Sequence, residues 1–300
     1  MTLQLTNVTK KFGKHTAVNN LSLEIPEKGL FGFLGGNGAG KTTTFRMILD
    51  LLDPSQGEIL WDGKKIGVEK NDLIGYLPEE RGLYPKLKVK EQLIYLGKLK
   101  GMSKQSATEE LQQWLETFRI TEYLDKRVDE LSKGNQQKIQ FISAVLHQPK
   151  LLILDEPFSG LDPINVEMMK EAVRQLAEQG TMIVFSSHQM DLVEELCESL
   201  CILRKGEAVV KGNLSEIKHS FGRKNITIHA VGNLGFLRDH TGIVHYTPLA
   251  KGCRIQVEDE AVSQKILAML QEKDYFIRKF EIEEPSLHDI FIDKVGEKYE

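Results

Sequence analysis

The sequence predicts an α/β fold: a mixed β-sheet core with a helical subdomain, followed by a small α+β C-terminal domain. Three observations carry that expectation. An apolar run, Gly29 to Leu34, passes through a glycine-rich loop into a helical stretch that begins at Lys41. From Leu151 onward, wholly apolar strands alternate with helices, the pattern of a parallel sheet covered on both faces. Past Gly222 the pattern changes to short strands with two short helices among them.

The elements follow in order. Leu3, Leu5 and Val8 lead to a turn at Phe12-Gly13-Lys14, and Leu21, Leu23 and Ile25 alternate up to Pro26, which predicts two strands. The helix from Lys41 is expected to run to Leu52, closed by Asp53-Pro54. The helical subdomain is placed at about 82–148. Its clearest helix follows Ser103, where Leu111, Trp114, Leu115 and Phe118 recur at helical spacing. Leu151–Leu154 reads as a buried strand, Val166–Gln179 as a helix and Met182–Phe185 as a second buried strand. A short helix, Leu214 to His219, leads to Phe221-Gly222, so a boundary is expected near 220, between a domain at 1–220 and an accessory domain at 221–300. In the latter, Ile226–Ile228, Arg254–Val257 and Tyr275–Ile282 read as strands and Ala261–Gln271 as a helix. Ser286, with Asp289 three residues on, is expected to cap a last helix, Leu287–Val295.

The chain has 300 residues, enough for one large domain or two ordinary ones at roughly 100–200 residues each. With 41% apolar and 27% charged residues it is globular in composition, which excludes collagen-like, disordered and disulfide-scaffold classes. A formal net charge of −4 gives no electrostatic case for a nucleic-acid partner, and none is expected. The cysteines, Cys197, Cys201 and Cys253, are odd in number, which fits a reducing compartment. Cys197 and Cys201 are read as packing residues that share a helix face or straddle a helix end, because two thiolates alone do not complete a tetrahedral zinc site. No apolar run approaches the ~18 residues that span a bilayer. The N-terminus lacks a signal-type apolar segment, so any membrane role is expected to need a partner.

Two stretches carry chemistry. Gly35-Gly36-Asn37-Gly38-Ala39-Gly40-Lys41-Thr42 fits G-x-x-x-x-G-K-[ST] between a strand and a helix. Glycines let the backbone wrap a phosphate with its amide hydrogens pointing inward, at the positive end of a helix dipole. Lys41 would bring a point charge to the β- and γ-phosphates, and the Thr42 hydroxyl would ligate Mg²⁺. The strand Leu151–Leu154 ends in Asp155 and Glu156, where the first carboxylate would sit as a second Mg²⁺ contact and the second as a general base for water. Two further features narrow the class. Ser132, ahead of an apolar helix, would cap that helix and hold an anion, and His188 follows the strand Met182–Phe185 at its carboxyl end.

In this order the motifs resemble the nucleotide-binding subunit of ATP-binding cassette (ABC) transporters, a P-loop NTPase family, over about residues 2–220. The resemblance implies that Phe12 stacks on adenine, that Gly35 to Thr43 (with Asn37, Ala39 and Thr43 among the contacts) form the Walker A loop, and that Asp155 and Glu156 are the magnesium ligand and catalytic glutamate. It makes Ser132 to Gln136 the signature loop, with Ser132 and Gly134 nearest phosphate in an opposing subunit. Ser159-Gly160-Leu161-Asp162 corresponds to the D-loop, and His188 to the switch histidine. Glu79 takes the Q-loop position, facing metal and water with a carboxylate instead of an amide. Gly36 replaces the family's usual proline, and Lys133 and Asn135 depart from LSGGQ.

These departures and the tail Glu284-Pro285-Ser286-Leu287-His288-Asp289-Ile290-Phe291 resemble one branch: the bacterial exporter ATPases of the sodium-extrusion (NatA-like) and drug- or peptide-resistance type. The implied activity is ATP hydrolysis coupled to transport, with ATP and Mg²⁺. The implied partners are a second cassette, expected to be a homodimer copy, and an integral-membrane permease, which would hold the chain at the cytoplasmic face of the cell membrane. A nucleic-acid or ribosome-acting cassette is the alternative. The span from Lys41 to Ser132 has no room for the long coiled coils of DNA-repair relatives, and there is one cassette where translation factors usually carry two.

Overall fold

The computed structural model describes residues 2–67, 72–80 and 82–295. It divides into two units, Met1–Gly212 and Asn213–Glu300.

In the first unit, strands β1 (Leu3–Phe12) and β2 (His15–Ile25) form an antiparallel hairpin with Phe12 opposite His15. Strand β3 (Leu30–Leu34) runs into the glycine-rich loop and then helix α1 (Lys41–Ile48). The helix ends short of the expected Leu52, because Asp50 turns into the left-handed region at φ 57° and its N–H donates to the Met47 carbonyl at 3.2 Å. Strand β4 (Gln56–Trp61) returns to the open edge of β1, and β5 (Ile74–Leu77) opens the helical layer. That layer contains α2 (Val89–Leu99), α3 (Lys104–Thr117) and α4 (Lys133–Val145). Its centre is aromatic: Trp114, Phe118 and Phe141 lie with ring centroids 5.7–6.0 Å apart.

Strand β6 (Leu151–Asp155) is buried throughout, as its unbroken apolar run predicts. Helix α5 (Pro163–Glu178) starts earlier than Val166, because the Asp162 side chain accepts the Asn165 N–H at 3.0 Å and proline suits the first turn. Strand β7 (Met182–Ser187), helix α6 (Met190–Leu196) and strands β8 (Ser199–Arg204) and β9 (Glu207–Asn213) complete the unit. The six strands order as β5-β6-β7-β3-β8-β9, parallel from β5 through β8, while β2-β1-β4 form a separate antiparallel sheet.

Register decides where the chemistry lies. Leu34 pairs with Ser187, Asp155 with Ser186 and Leu77 with Leu154, so the loops after β3, β5, β6 and β7 all leave one edge. In open α/β sheets that carboxyl edge is where ligands bind.

The second unit begins at Asn213, not near 220. Asn213 Oδ1 accepts the N–H groups of Ser215 and Glu216, capping α7 (Leu214–Phe221), and α7 packs against the unit's last helix. The unit continues with β10 (Lys224–Val231), β11 (Ile243–Leu249), β12 (Gly252–Val257), α8 (Glu260–Glu272), β13 (Phe276–Glu283) and α9 (Leu287–Val295). The sheet is antiparallel, ordered β11-β12-β10-β13, and Ile266 and Leu270 of α8 are buried with Ile226, Ile228 and Ile255. The expected cap of α9 is present: Ser286 Oγ accepts the Asp289 N–H at 3.2 Å, and Asp289 Oδ2 accepts the Ser286 N–H at 2.9 Å.

Cys197 lies just beyond α6 and Cys201 inside β8, so the two do not share a helix face. All three thiols are free and buried. Burial pushes the Cys197 thiol well up, Cys201 up to about 12 and Cys253 to about 11. Maleimide labelling at pH 8 should therefore be at least ~100-fold slower in the native protein than in urea, since the thiolate is the reactive species.

Candidate functional site

The glycine-rich loop is held from outside as much as by its own turns. Gly35 and Gly40 have φ of 154° and 107°, and a Cβ on either would stand 2.6 Å from a backbone oxygen, of Leu203 and Ala17 respectively. Only glycine lets β8 and the β1–β2 hairpin approach so closely. Gly206 joins both, donating to the Ala39 carbonyl at 3.0 Å and accepting the Asn19 N–H at 2.8 Å. The Ala39 N–H donates to the Gly36 carbonyl at 3.1 Å, so the turn forms without the usual proline. Asn37 and Gly38 are exposed at the tip, and Thr43 is half-buried in the first turn of α1.

Lys41 is buried. Its Nζ donates to the Gly35 carbonyl at 2.7 Å and to that of Gly36 at 3.4 Å, and lies 3.7 Å from Glu156 Oε1. A buried cation needs such a counter-charge. The Thr42 hydroxyl donates to Asp155 Oδ2 at 2.7 Å, tying the start of α1 to the end of β6.

Asp155 is 1% and Glu156 7% exposed. Ser186, on the adjacent strand, serves both: its hydroxyl donates to Asp155 Oδ1 at 2.5 Å and accepts the Glu156 N–H at 3.0 Å. Glu156 has a left-handed backbone, φ 51°, unusual for a non-glycine residue and the kind of strain that functional sites hold. That turn brings its carboxylate back toward the loop, where Oε2 lies 2.9 Å from His188 Nδ1. The structure thus joins Lys41, Thr42, Asp155, Glu156 and His188 in one bonded group.

The other expected residues stand around it. Phe12 is half-exposed at the hairpin tip, with Lys10 Nζ 5.3 Å from its ring centroid. Glu79 is exposed just beyond β5, at the same sheet edge as Asp155. Ser132 caps α4, accepting the Asn135 N–H at 3.3 Å. Gly134 lies beside the D-loop of its own chain: a Cβ there would be 3.4 Å from Asn165 Nδ2, which itself donates to Asp162 Oδ2 at 2.6 Å. Hydrogen bonds to Asn165 N–H hold the Asp162 carboxyl below its usual range.

Three residues with evident work in this region escape a reading by motif. Ser186 sits next to the histidine that draws attention. Gln137 and Gln140 lie on the buried side of α4, where Gln137 Nε2 donates to the Pro157 carbonyl at 3.1 Å. Their only sequence signal is polarity at positions where the helical period calls for apolar side chains.

A phosphate-wrapping loop, its lysine, and an acid-tipped strand bonded to the next hydroxyl define a P-loop nucleoside triphosphatase. Comparison with known proteins narrows this. Residues 18–159 match the ABC transporter family, and residues 212–295 match the C-terminal domain of ATP-binding proteins like DrrA1-3. An ABC transporter ATP-binding protein of Bacillus subtilis, YhaQ, is 62% identical over 99% of this chain and 100% of its own. The linearmycin resistance ATP-binding protein LnrL, also of B. subtilis, is 31% identical over 98% of either chain. A solved dimeric ATP-binding cassette in a post-hydrolysis state, bound to ADP and Pi, superposes with a TM-score of 0.65 at 25% identity, over 71% of this chain and 98% of that one. The chain belongs to the ABC transporter ATP-binding family and is an ATPase homologous to export and resistance subunits. Among the described residues no helix is long and apolar enough to cross a membrane.

Proposed function

We propose that this chain hydrolyses ATP to drive a separate membrane permease in export, closing head to tail with a second copy around two nucleotides. The observation that carries the catalytic half is the bonded group itself. Lys41 would reach the β- and γ-phosphates, and the first turn of α1 would offer amide hydrogens to the same anion. Glu156, buried and turned back toward that point, would take a proton from the attacking water, with His188 holding its second oxygen. Phe12 would stack on the base, and Gly35 to Thr43 would wrap the phosphates.

Thr42 and Asp155 fit Mg²⁺: a hydroxyl and a carboxylate, hard oxygen donors, already face each other at 2.7 Å. Glu79 would complete the outer side of that site. When bound, the ion supplies charge neutralisation between the phosphates. Ser186 holds the Asp155 carboxylate and the Glu156 backbone N–H in place. Ser186→Ala should cost about 2 kcal/mol of stability by urea unfolding, typical of losing hydrogen bonds to a buried charged group.

Gly134 stands beside the Asp162 turn of its own chain and Ser132 caps the same helix end, which supports a role for both in completing another copy's site. The permease reading is supported by exposed apolar side chains in and just before α2, where Tyr84 is 63% exposed, Leu87 42%, Tyr95 58% and Leu99 61%. Another protein seated there would cover them. Kinship to a linearmycin resistance protein supports export over import. The test is sedimentation velocity of the Glu156→Gln chain: it should be monomeric alone and dimeric with ATP. A monomer at saturating ATP would contradict the head-to-tail reading.

A further inference from the structure

Helix α4 starts at the signature loop, and three of its glutamines, the half-buried Gln136 and the buried Gln137 and Gln140, reach in three directions. Gln136 Nε2 donates to the carbonyls of Val128 and Leu131 at 3.1 and 2.9 Å, fixing the loop at the helix's own start. Gln137 holds the carbonyl of Pro157, next to Glu156. Gln140 Nε2 donates to the Pro78 carbonyl at 3.2 Å and to that of Glu80 at 3.1 Å, one on each side of Glu79. An amide nitrogen has two hydrogens, one for each carbonyl.

Gln140 is 3% exposed, and among the described residues its Oε1 has no hydrogen-bond partner. A buried acceptor left without a partner is costly, and an apolar side chain of the same length would avoid that cost if packing were all the position did. The same segment is gripped at its far end, where Gln92 of α2 accepts the Tyr84 N–H at 3.1 Å. The loop after β5 is therefore bonded to the helical layer at both ends, although it grows from the sheet.

We propose that Gln140 is a positioning residue for ATP hydrolysis: it binds the Glu79 loop to α4, so that Glu79 moves with the helix that carries the signature loop. This deepens the function proposed above and rests on Glu79 facing the nucleotide. Gln140's two hydrogen bonds go to the Glu79 loop, not to the phosphate loop, so its loss should fall on turnover and not on binding.

The test is steady-state hydrolysis by the full chain carrying Gln140→Met, and separately Gln140→Glu, each in the parent and in a Glu79→Ala background. In the parent, Gln140→Met should lower kcat about tenfold while KM for ATP changes less than about twofold. Gln140→Glu, which has the shape of glutamine but faces two carbonyls with a carboxylate, should do at least as much. In the Glu79→Ala background neither change should lower kcat further, because the group they position is gone. Equal losses in both backgrounds would show a purely structural role and overturn the inference, as would an unchanged kcat in the parent. If Glu79→Ala alone leaves kcat intact, it is the reading of Glu79 that fails, and the inference falls with it. Should Gln140→Met fail to fold, Gln140→Glu gives the same comparison.

Discussion

Replacing Glu156 by glutamine should lower ATP turnover about 10²–10⁴-fold, the usual contribution of a positioned general base, and leave nucleotide binding at least as strong. The two halves of that expectation come from different contacts. Turnover falls because an amide has no proton affinity to offer water, while its shape keeps the contact with His188 that lies at 2.9 Å in the parent. Binding holds because Lys41 Nζ, 3.7 Å from Glu156 Oε1, loses a competing anion. Its charge is then left for phosphate. Phosphate release measured beside equilibrium nucleotide binding separates the two. Turnover within about threefold of the parent would remove Glu156 from the catalytic role, since a base contributes far more than that.

Lys41→Ala should weaken ATP binding by about 10²-fold or more, the scale expected for losing a charge-assisted contact in a buried site. It should also leave the Glu156 carboxylate buried without its counter-charge, so the free protein loses stability. Lys41→Met separates these effects, since it keeps the stem that packs beneath the loop and removes only the charge. Calorimetric titration with ATP and thermal unfolding of the free chain are the measurements. An unchanged Kd in both variants would mean the loop does not hold phosphate through this lysine.

What could be read from the sequence was what depends on neighbours along the chain. The Gly35–Thr42 loop declares itself because its glycines, lysine and threonine are all fixed by one tight turn. The wholly apolar β6 ending in Asp155-Glu156 declares itself because a central parallel strand has no wet face. The contacts that arrange those residues do not. Ser186 reaches Asp155 across 31 positions and Gln140 reaches Glu80 across 60. Neither pairing has a local pattern. Strand β4, Gln-Gly-Glu-Ile-Leu-Trp, has three exposed residues before its buried part, and its pairing with β1 is tertiary. The early stop of α1 and the early start of α5 turn on single residues, Asp50 in a left-handed turn and Asp162 as a cap. The domain edge at Gly212 depends on where α7 packs, which composition does not record.

The central proposal is that ATP hydrolysis by this chain serves a membrane partner. The most direct measurement is affinity purification of the tagged Glu156→Gln chain from detergent-solubilised cells of its native host, with ATP and Mg²⁺ present, followed by mass spectrometry. A polytopic membrane protein held in ATP-dependent stoichiometric complex is the predicted result. Ribosomes or DNA recovered in its place, with no membrane protein, would contradict the account and assign the cassette to nucleic-acid work.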